Sequence, residues 1–583
     1  MRRSQKQGVT WAGRPMVAVM LCAAATLAGG EACLAASRPV LRPPLWRDAD
    51  DRPIPKKPRT REISELYAIV YNSWLRPMNL VAHVQSAADR GSLNLNAWDE
   101  VPDSSWFTNR IGRRPMTLEE IIGSIQGTTP APGGWTVIRI EDEGYTPKVR
   151  IRDASGAIYV LKFDLPEKPE RNSAAERICT LIMHAAGYHV PYNDIVYFRP
   201  EQLQIDKDSY YRDAVGKRRP MKPADLDMVI GKLKPRPDGS YRGLASRLLP
   251  GEPVGRFVYV GRRKDDPNDL IPHELRRELR GLRVIASWIN HADVKDANAM
   301  DVYIDGKNGG KYVKHYMLDF GSTLGSGDFV NGPYRVGHEY IYDGAATGHA
   351  FITLGFWQRP WEVTGQIQYP EVGYFQAESF EPEKWKPNYP NLAFLRSDDS
   401  DAYWGAKIVT AFSDDLIRRL AEEGRYTRPE VTDYIGQTLR KRRDAIGRYW
   451  LDRITPLEDL SFEPDDSGGS LHFRDIALER GYAEAGSRTY HVRIVDLQGR
   501  ERLAPSDIRG ASGSLKIPRA ALGAEPRRAA DRFGRRPALK VRIQASRRSY
   551  GWALPIEVIL GSEGDSPALR VLGWTHAPKG SSR

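Results

Sequence analysis

The chain has 583 residues, is 41% hydrophobic and 10% aromatic, and carries a formal net charge of +12. That length and apolar content can bury a sizeable core and suggest two to four domains of about 100–200 residues each. Three cysteines exclude metal sites built on cysteine, and eleven histidines without H-E-x-x-H or paired spacing argue against a zinc enzyme; the positive excess favours anionic partners, while no recognition helix or RNA-binding motif points to nucleic acid.

Residues 1–36 read as a secretory signal peptide: Arg2, Arg3, Lys6 and Arg14, an apolar stretch from Met16 to about Leu27, then small residues ending at Ala36. The apolar run is shorter than the roughly 20 residues a membrane helix needs. Cleavage near Ala36 places the mature protein outside the cytoplasm, periplasmic or secreted. Lipidation at Cys33 is the alternative, although Gly-Glu-Ala before it makes a poor lipobox. Residues 37–60 are rich in Pro, Arg and Lys and read as an extended tether. Residues 61–130 form an N-terminal extension. It has a helical pattern at Ile63, Leu66, Ile69, Val70 and Trp74 and a second helix at 118–125, and it is expected to pack on the domain that follows.

Within 131–260, strands at 135–140 and 148–152 flank a turn that holds Gly144, Pro147 and Lys148. Residues 158–164 read Ile-Tyr-Val-Leu-Lys-Phe-Asp, a strand with Lys162 closing its apolar run; a helix from Ser173 carries Glu176 and Cys179, the latter a small core residue. Residues 200–235 look like a Lys- and Pro-rich surface insertion. In 261–455, a charged loop at 262–269 reads as a solvated cap. It precedes a helix at 274–290 with Leu275, Leu279, Leu282, Ile285 and Ile289 on one face. That helix runs into His-Ala-Asp-Val-Lys-Asp-Ala-Asn at 291–298. Strands at 301–304 and 312–318 then make a hairpin that ends in Leu-Asp-Phe-Gly at 318–321 and brings Asn298 beside Asp319. A Gly-, Tyr- and Trp-rich stretch follows to about 405, then helices at 413–423 and 429–450. From 458 to 583, alternating segments that start at 490, 539, 556 and 569 predict a small β-sandwich.

The order H-x-D-x-K-x-x-N, then D-F-G, has the spacing of the catalytic and metal loops of protein kinases. Phosphoryl transfer asks for positioning and charge neutralisation. Asp293 is placed to orient and deprotonate an acceptor hydroxyl, and Lys295 to reach the transferred phosphate. Asn298 and Asp319 offer the hard oxygens that Mg²⁺ prefers, and His291 holds the shape of the loop. Upstream, Lys162 stands where a phosphate-binding lysine should, with Glu176 as its acidic partner.

The chain therefore resembles the protein-kinase-like superfamily over roughly 130–455. Gly144-Tyr-Thr-Pro-Lys148, the turn at 153–156, Val-Leu-Lys-Phe, the Glu176 helix and Ala-Gly-Tyr-His-Val-Pro are similar to the N-lobe of HipA-like kinases; the catalytic loop resembles that of Ser/Thr kinases. The resemblance implies an α+β, bilobal kinase-like fold, with an N-lobe at 131–260, a C-lobe at 261–455, the N-terminal extension and a C-terminal all-β domain. It also implies ATP and Mg²⁺ as cofactors, with Gly144 and Lys148 shaping a phosphate loop that has one glycine where G-x-G-x-x-G has three. No A-P-E follows D-F-G, so the usual anchor for an acceptor peptide is missing. The acceptor is a hydroxyl on a protein, a glycan or a lipid head group. The expected function is an extracytoplasmic ATP-dependent phosphotransferase without membrane spans but open to peripheral envelope association; the alternatives are a noncatalytic pseudokinase-like envelope scaffold or an adenylyltransferase on the same fold.

Overall fold

A computed structural model describes residues 41–76, 91–141, 148–213, 217–307, 309–327, 334–363, 365–510, 513–522 and 529–577. The expected signal peptide, Cys33 and Gly144 lie outside them. Among the described residues no helix is long and apolar enough to cross a membrane.

Residues 41–60 are extended, as a proline-rich segment should be, but they do not form a loose tether. Ile54 is buried with Val254, Tyr303 and Val313, its N–H donates to Lys311 O, and Asp50 accepts from the Ser105 amide and hydroxyl. A short helix, α1 (Glu65–Val70), runs into a π-helical turn (Tyr71–Leu75). A second helix, α2 (Leu118–Ser124), starts at a capping box between Thr117 and Glu120. Leu95, Trp106, Phe107, Leu118 and Ile121 share one buried cluster with the helix Arg171–Ala186 that packs on the first sheet and with helices of the second lobe. The extension thus packs on both lobes.

The first sheet is built from β1 (Trp135–Glu141), β2 (Lys148–Arg152) and β3 (Ile158–Lys162). After helix α3 (Arg171–Ala186) come β4 (Asn193–Phe198), β5 (Leu203–Arg212), β6 (Arg218–Pro220), helix α4 (Pro223–Ile230) and β7 (Tyr241–Arg247). The strand order is β4-β7-β3-β2-β1-β5-β6, antiparallel except for β1 beside β5. The β2–β3 turn is closed by Asp153, whose Oδ1 accepts from the Ser155 and Ala157 amides, with Gly156 at φ +86°. Residues 200–235 are part of this lobe and not a surface insertion: Leu203, Met221, Leu226 and Val229 are buried in its core. The lysines and prolines dominate the composition there, but these four apolar residues decide the packing.

The second lobe opens with β8 (Glu252–Pro253) and helix α5 (Arg277–Trp288), followed by the hairpin of β9 (Ala299–Asp305) and β10 (Lys311–Met317). It continues through α6 (Gly344–Ile352), α7 (Asp399–Val409), α8 (Asp414–Glu422) and α9 (Pro429–Arg453). Leu279, Leu282, Ile285 and Ile289 are all at most 1% exposed, so the repeat read from sequence is the buried face of α5. Arg263, in the loop expected to be solvated, is buried and donates to Asp301 at 2.7 Å and to Val254 O; it braces the hairpin.

The last part holds β11 (Leu457–Asp465), β12 (Gly468–Asp475), β13 (Thr489–Asp496), β14 (Ser506–Arg509), β15 (Ser514–Pro518), β16 (Arg535–Ala545), β17 (Ile556–Glu563) and β18 (Arg570–His576). They form two sheets, β11-β12-β15 and β14-β13-β16-β17-β18, around one shared cluster that includes Phe462, Leu471, Ile494, Val541, Val558 and Trp574. Alternate residues of β13 and β16 point into it, the period-2 pattern of a half-buried strand.

Candidate active site

Strand alternation aims the two lysines. Tyr159 and Leu161 of β3 enter the sheet core, so Lys162 emerges on the opposite face, toward α3. Lys148 is paired directly opposite Lys162 across β2 and β3. Lys162 Nζ donates to both oxygens of Glu176, at 2.7 and 2.9 Å, and to Asp319 Oδ1 at 3.1 Å. Helix α3 is held in place for this. Glu170 at its start has φ +66° and no side-chain cap. Asp164, two residues beyond the lysine, instead accepts from the Asn172 and Ser173 amides at 2.8 and 2.9 Å. Asn193 on β4 donates to Glu176 at 3.2 Å and to Thr180 at 2.9 Å, which fixes the carboxylate from behind.

The catalytic-loop residues arrive from the other lobe. Asn290 ends α5 at φ +49°, and its Oδ1 accepts from Trp385 Nε1 at 2.8 Å. The loop that follows places Asp293 between two donors: Lys295 Nζ lies 3.2 Å from Oδ1, and Asn298 Nδ2 donates to Oδ2 at 3.0 Å and to the Asp293 main-chain O at 2.9 Å. The hairpin does what its sequence predicts. Met317 pairs with Ala299, and the Leu318 amide donates to Asn298 O, so Asn298 and Asp319 sit side by side at its base. Asp319 is at φ +60°, and Phe320 behind it is fully buried with its ring 5.5 Å from that of His291. A side chain at Gly321 would begin 3.3 Å from Glu176 Oε2, so the glycine keeps room beside the ion pair.

The charges bias these groups differently. Lys162 holds the Asp319 carboxyl down at about 2 against the opposing pull of burial. Burial pulls the Lys162 ammonium down, but Asp319 and Glu176 more than offset it, so it stays charged. Burial pushes the Glu176 and Asp293 carboxyls up, against Lys162 for the first and Lys295 for the second. Burial also lowers His291 to about 4, which keeps its ring neutral against Phe320.

Of the residues selected from sequence, Lys162, Glu176, Asp319, Asn298, Asp293 and Lys295 come together where the sheet lobe meets the helical lobe, with Lys148 on the neighbouring strand; Gly144 is outside the described residues. Asp164, Asn193 and Gly321 are additions. Asp164 had a local signal, an acid seven residues before a helix start with no cap of its own, whereas Asn193 had none because its partners come from distant positions. Among the described residues no group of three or more His, Cys, Asp or Glu is placed to hold a metal ion. A cation here would rest on Asp319, whose side chain is 47% exposed, on Asn298 and on phosphate oxygens. The donor set fits: both offer hard oxygens, and the Asn298 amide nitrogen is committed to Asp293, which leaves Oδ1 as its ligand atom.

The described residues after Asp319 line a cavity of about 770 Å³ walled by Tyr340, Trp357, Trp361, Tyr374 and Trp385. It is tied to the catalytic loop through Asn388 N, which donates to Ala292 O at 2.7 Å.

No protein-family model matches the chain, and no curated protein matches it. Among solved structures, it is similar to a Helicobacter pylori proinflammatory kinase, CtkA, at 11% identity and a TM-score of 0.27, over 54% of this chain and 97% of that one. It is also similar to the Golgi casein kinase at 10% identity and a TM-score of 0.26, over 70% and 94% of the two chains. The same kinase with Mn/ADP bound gives 12% identity and a TM-score of 0.21, over 61% and 94%. Likenesses this distant say nothing about what this chain does.

Proposed function

We propose that the protein is an extracytoplasmic kinase-like phosphotransferase that uses ATP and Mg²⁺ to phosphorylate a hydroxyl acceptor. One observation carries the reading: two consecutive lobes bring Lys162, Glu176, Asp319, Asn298, Asp293 and Lys295 together where they meet. Each has a role that phosphoryl transfer needs. Lys162, oriented by Glu176, binds the nucleotide phosphates as a fixed positive charge, and Lys148 adds a second beside it. Asp293 accepts the proton of the acceptor hydroxyl as its oxygen forms a bond to the γ-phosphorus, while the bond from that phosphorus to the bridging oxygen breaks and ADP leaves. Lys295, 3.2 Å from Asp293, neutralises the phosphoryl group in flight. Asp319 and Asn298 would hold Mg²⁺, which would supply neutralisation of the phosphate and leaving-group charge. Burial of Asp293 raises its basicity, which suits a general base.

The absence of A-P-E and the aromatic cavity beside the catalytic loop favour an acceptor other than a peptide strand docked on an activation segment. The test is mass spectrometry of the mature protein and of nucleotide products after incubation with ATP and Mg²⁺, with the Asp293→Ala variant beside it. Phosphoryl adducts with ADP release, lost in the variant, support the reading. AMP adducts with pyrophosphate establish adenylyl transfer instead, and product formation by Asp293→Ala at the rate of the unaltered chain overturns the assigned roles.

A further inference from the structure

The helix at 65–75 is inside out. Its solvent face is Leu66, Tyr67, Val70, Tyr71, Trp74 and Leu75, which are 36–72% exposed, while Ala68, Ile69, Asn72 and Ser73 turn inward. A surface helix of a globular protein normally presents the reverse, and an exposed apolar face marks something that it binds. The inward face is not loosely placed. Ile63, Ala68, Ile69 and Asn72 share a crevice with Val294, Lys295 and Asp296, so the helix rests on the catalytic loop itself.

Two further features meet this face. Trp74 touches Tyr342, ring centroids 5.7 Å apart, and Tyr342 leads into α6; Phe351 and Ile352 at its end and Leu354 and Phe356 just beyond it are each at least 80% exposed. Immediately before the helix, Lys56, Lys57, Arg59 and Arg61 join Arg262 and Lys264 around a hollow with one acid, Asp265. Lys57 is engaged by Glu252 at 2.7 Å, yet the hollow remains strongly cationic. Aromatic and aliphatic side chains flanked by lysine and arginine are the composition of a helix that lies in a membrane interface, where tyrosine and tryptophan settle at head-group level and basic residues meet anionic lipid.

We propose that this face docks the protein peripherally onto an anionic bilayer surface. Docking there brings the catalytic loop, on which the helix rests, to the level of the lipid head groups. The consequence that the acceptor is a head group, or a molecule held at the membrane, rests on the phosphotransferase reading; the docking itself does not.

The experiment is co-sedimentation of the mature full-length chain with phosphatidylcholine vesicles, with and without phosphatidylglycerol, over a salt series. The chain should sediment with the anionic vesicles, much less with the neutral ones, and release as salt rises. The double variant Leu66→Asp/Trp74→Asp should lose at least about tenfold in partition, because two anchors of the apolar face become charged. Lys56→Glu/Lys57→Glu should lose a similar factor on anionic vesicles and flatten the salt dependence. All four substitutions fall on exposed or half-exposed positions, and an unchanged melting temperature confirms that each variant folds. Equal binding to both vesicle types, or apolar-face variants that bind like the unaltered chain, would sink the proposal. So would a dimer in analytical ultracentrifugation that Leu66→Asp/Trp74→Asp dissolves, since the face would then be a contact between copies. Asp293→Ala should bind vesicles normally, so a protein without turnover in the ATP assay leaves this result standing and the two readings fail separately.

Discussion

Burial raises the basicity of Asp293, while Lys295, 3.2 Å away, and the Asn298 amide lower it. Removing the carboxylate should therefore cost the proton-transfer contribution, about 10²–10⁴-fold in kcat. Nucleotide affinity should change little, because Lys162, Glu176 and Asp319 are untouched; single-turnover rates and nucleotide titration of Asp293→Ala separate the two. The pH dependence has a definite sign. A base works unprotonated, so turnover falls as pH drops through the raised Asp293 pKa, while Asp319, held at about 2, stays ionised throughout that range. Lys295→Met removes a group that lowers the Asp293 pKa, so the acid limb of the kcat profile should move to higher pH, in addition to a fall in the plateau. An unmoved limb would show that another group sets it. At this scale the site was legible wherever spacing carries chemistry: H-x-D-x-K-x-x-N and D-F-G named Asp293, Lys295, Asn298 and Asp319 together. It was illegible where a partner is brought in by the fold, as with Asn193, whose hydrogen bond to Glu176 joins β4 to α3.

Elements were read well where periodicity meets a turn signal, and less well where it only reports a face. The hairpin of β9 and β10 and the buried side of α5 follow directly from sequence. The repeat at Ile63, Leu66, Ile69, Val70 and Trp74 correctly marks a helix, but Leu66, Val70 and Trp74 face solvent. A hydrophobic stripe states that one side is apolar; which side meets the protein is a tertiary matter. Helix α3 makes the point energetically, because its start is capped by a residue outside it. Asp164→Ala leaves the Asn172 and Ser173 amides without their acceptor and should cost about 1–2 kcal/mol in chemical denaturation. Loss of this clamp should also loosen Glu176 against Lys162, so ATP affinity should fall even where the variant is fully folded; an unaltered affinity would separate the cap from the site. The far end of α3 depends on Gly187, at φ +127°, where a Cβ would lie 2.2 Å from the Phe107 ring. Gly187→Ala should therefore destabilise by more than the cap variant, since both backbone strain and overpacking act against it.

Across the whole molecule, the three parts are joined by charge as well as by apolar packing, and nothing in the sequence pattern discloses it. Asp99, between the extension and β18, receives the backbone amide and ring of His576 at 3.0 and 3.1 Å, and it pairs with Arg277 of α5 at 3.1 Å. Arg277 is shared with Asp401 of α7, also at 3.1 Å. Nearby, Lys407 of α7 is bound by Glu100 and by Glu458 of β11. A helical lobe and a β-sandwich tied through such buried groups should unfold together, so calorimetry of the full chain should give one transition for both. Asp99→Ala leaves Arg277 with Asp401 alone in a buried site, where loss of a charge partner costs about 3 kcal/mol or more. Arg42→Ala, which removes the partly exposed partner of the same carboxylate, should cost less than about 1 kcal/mol. The two variants also differ with pH. Burial opposes ionisation of Asp99, but Arg277, Arg42 and His576 prevail and hold its pKa below the ordinary value. A depressed carboxyl contributes in full above its unfolded value of about 4 and is lost as pH falls toward the folded one. The stability gap between the unaltered chain and Asp99→Ala should accordingly stay constant from neutral pH down to about 5 and close below that. A gap that instead widened in acid would mean that Asp99 is protonated in the folded protein, and the charge link between extension, helical lobe and sandwich would have to be abandoned.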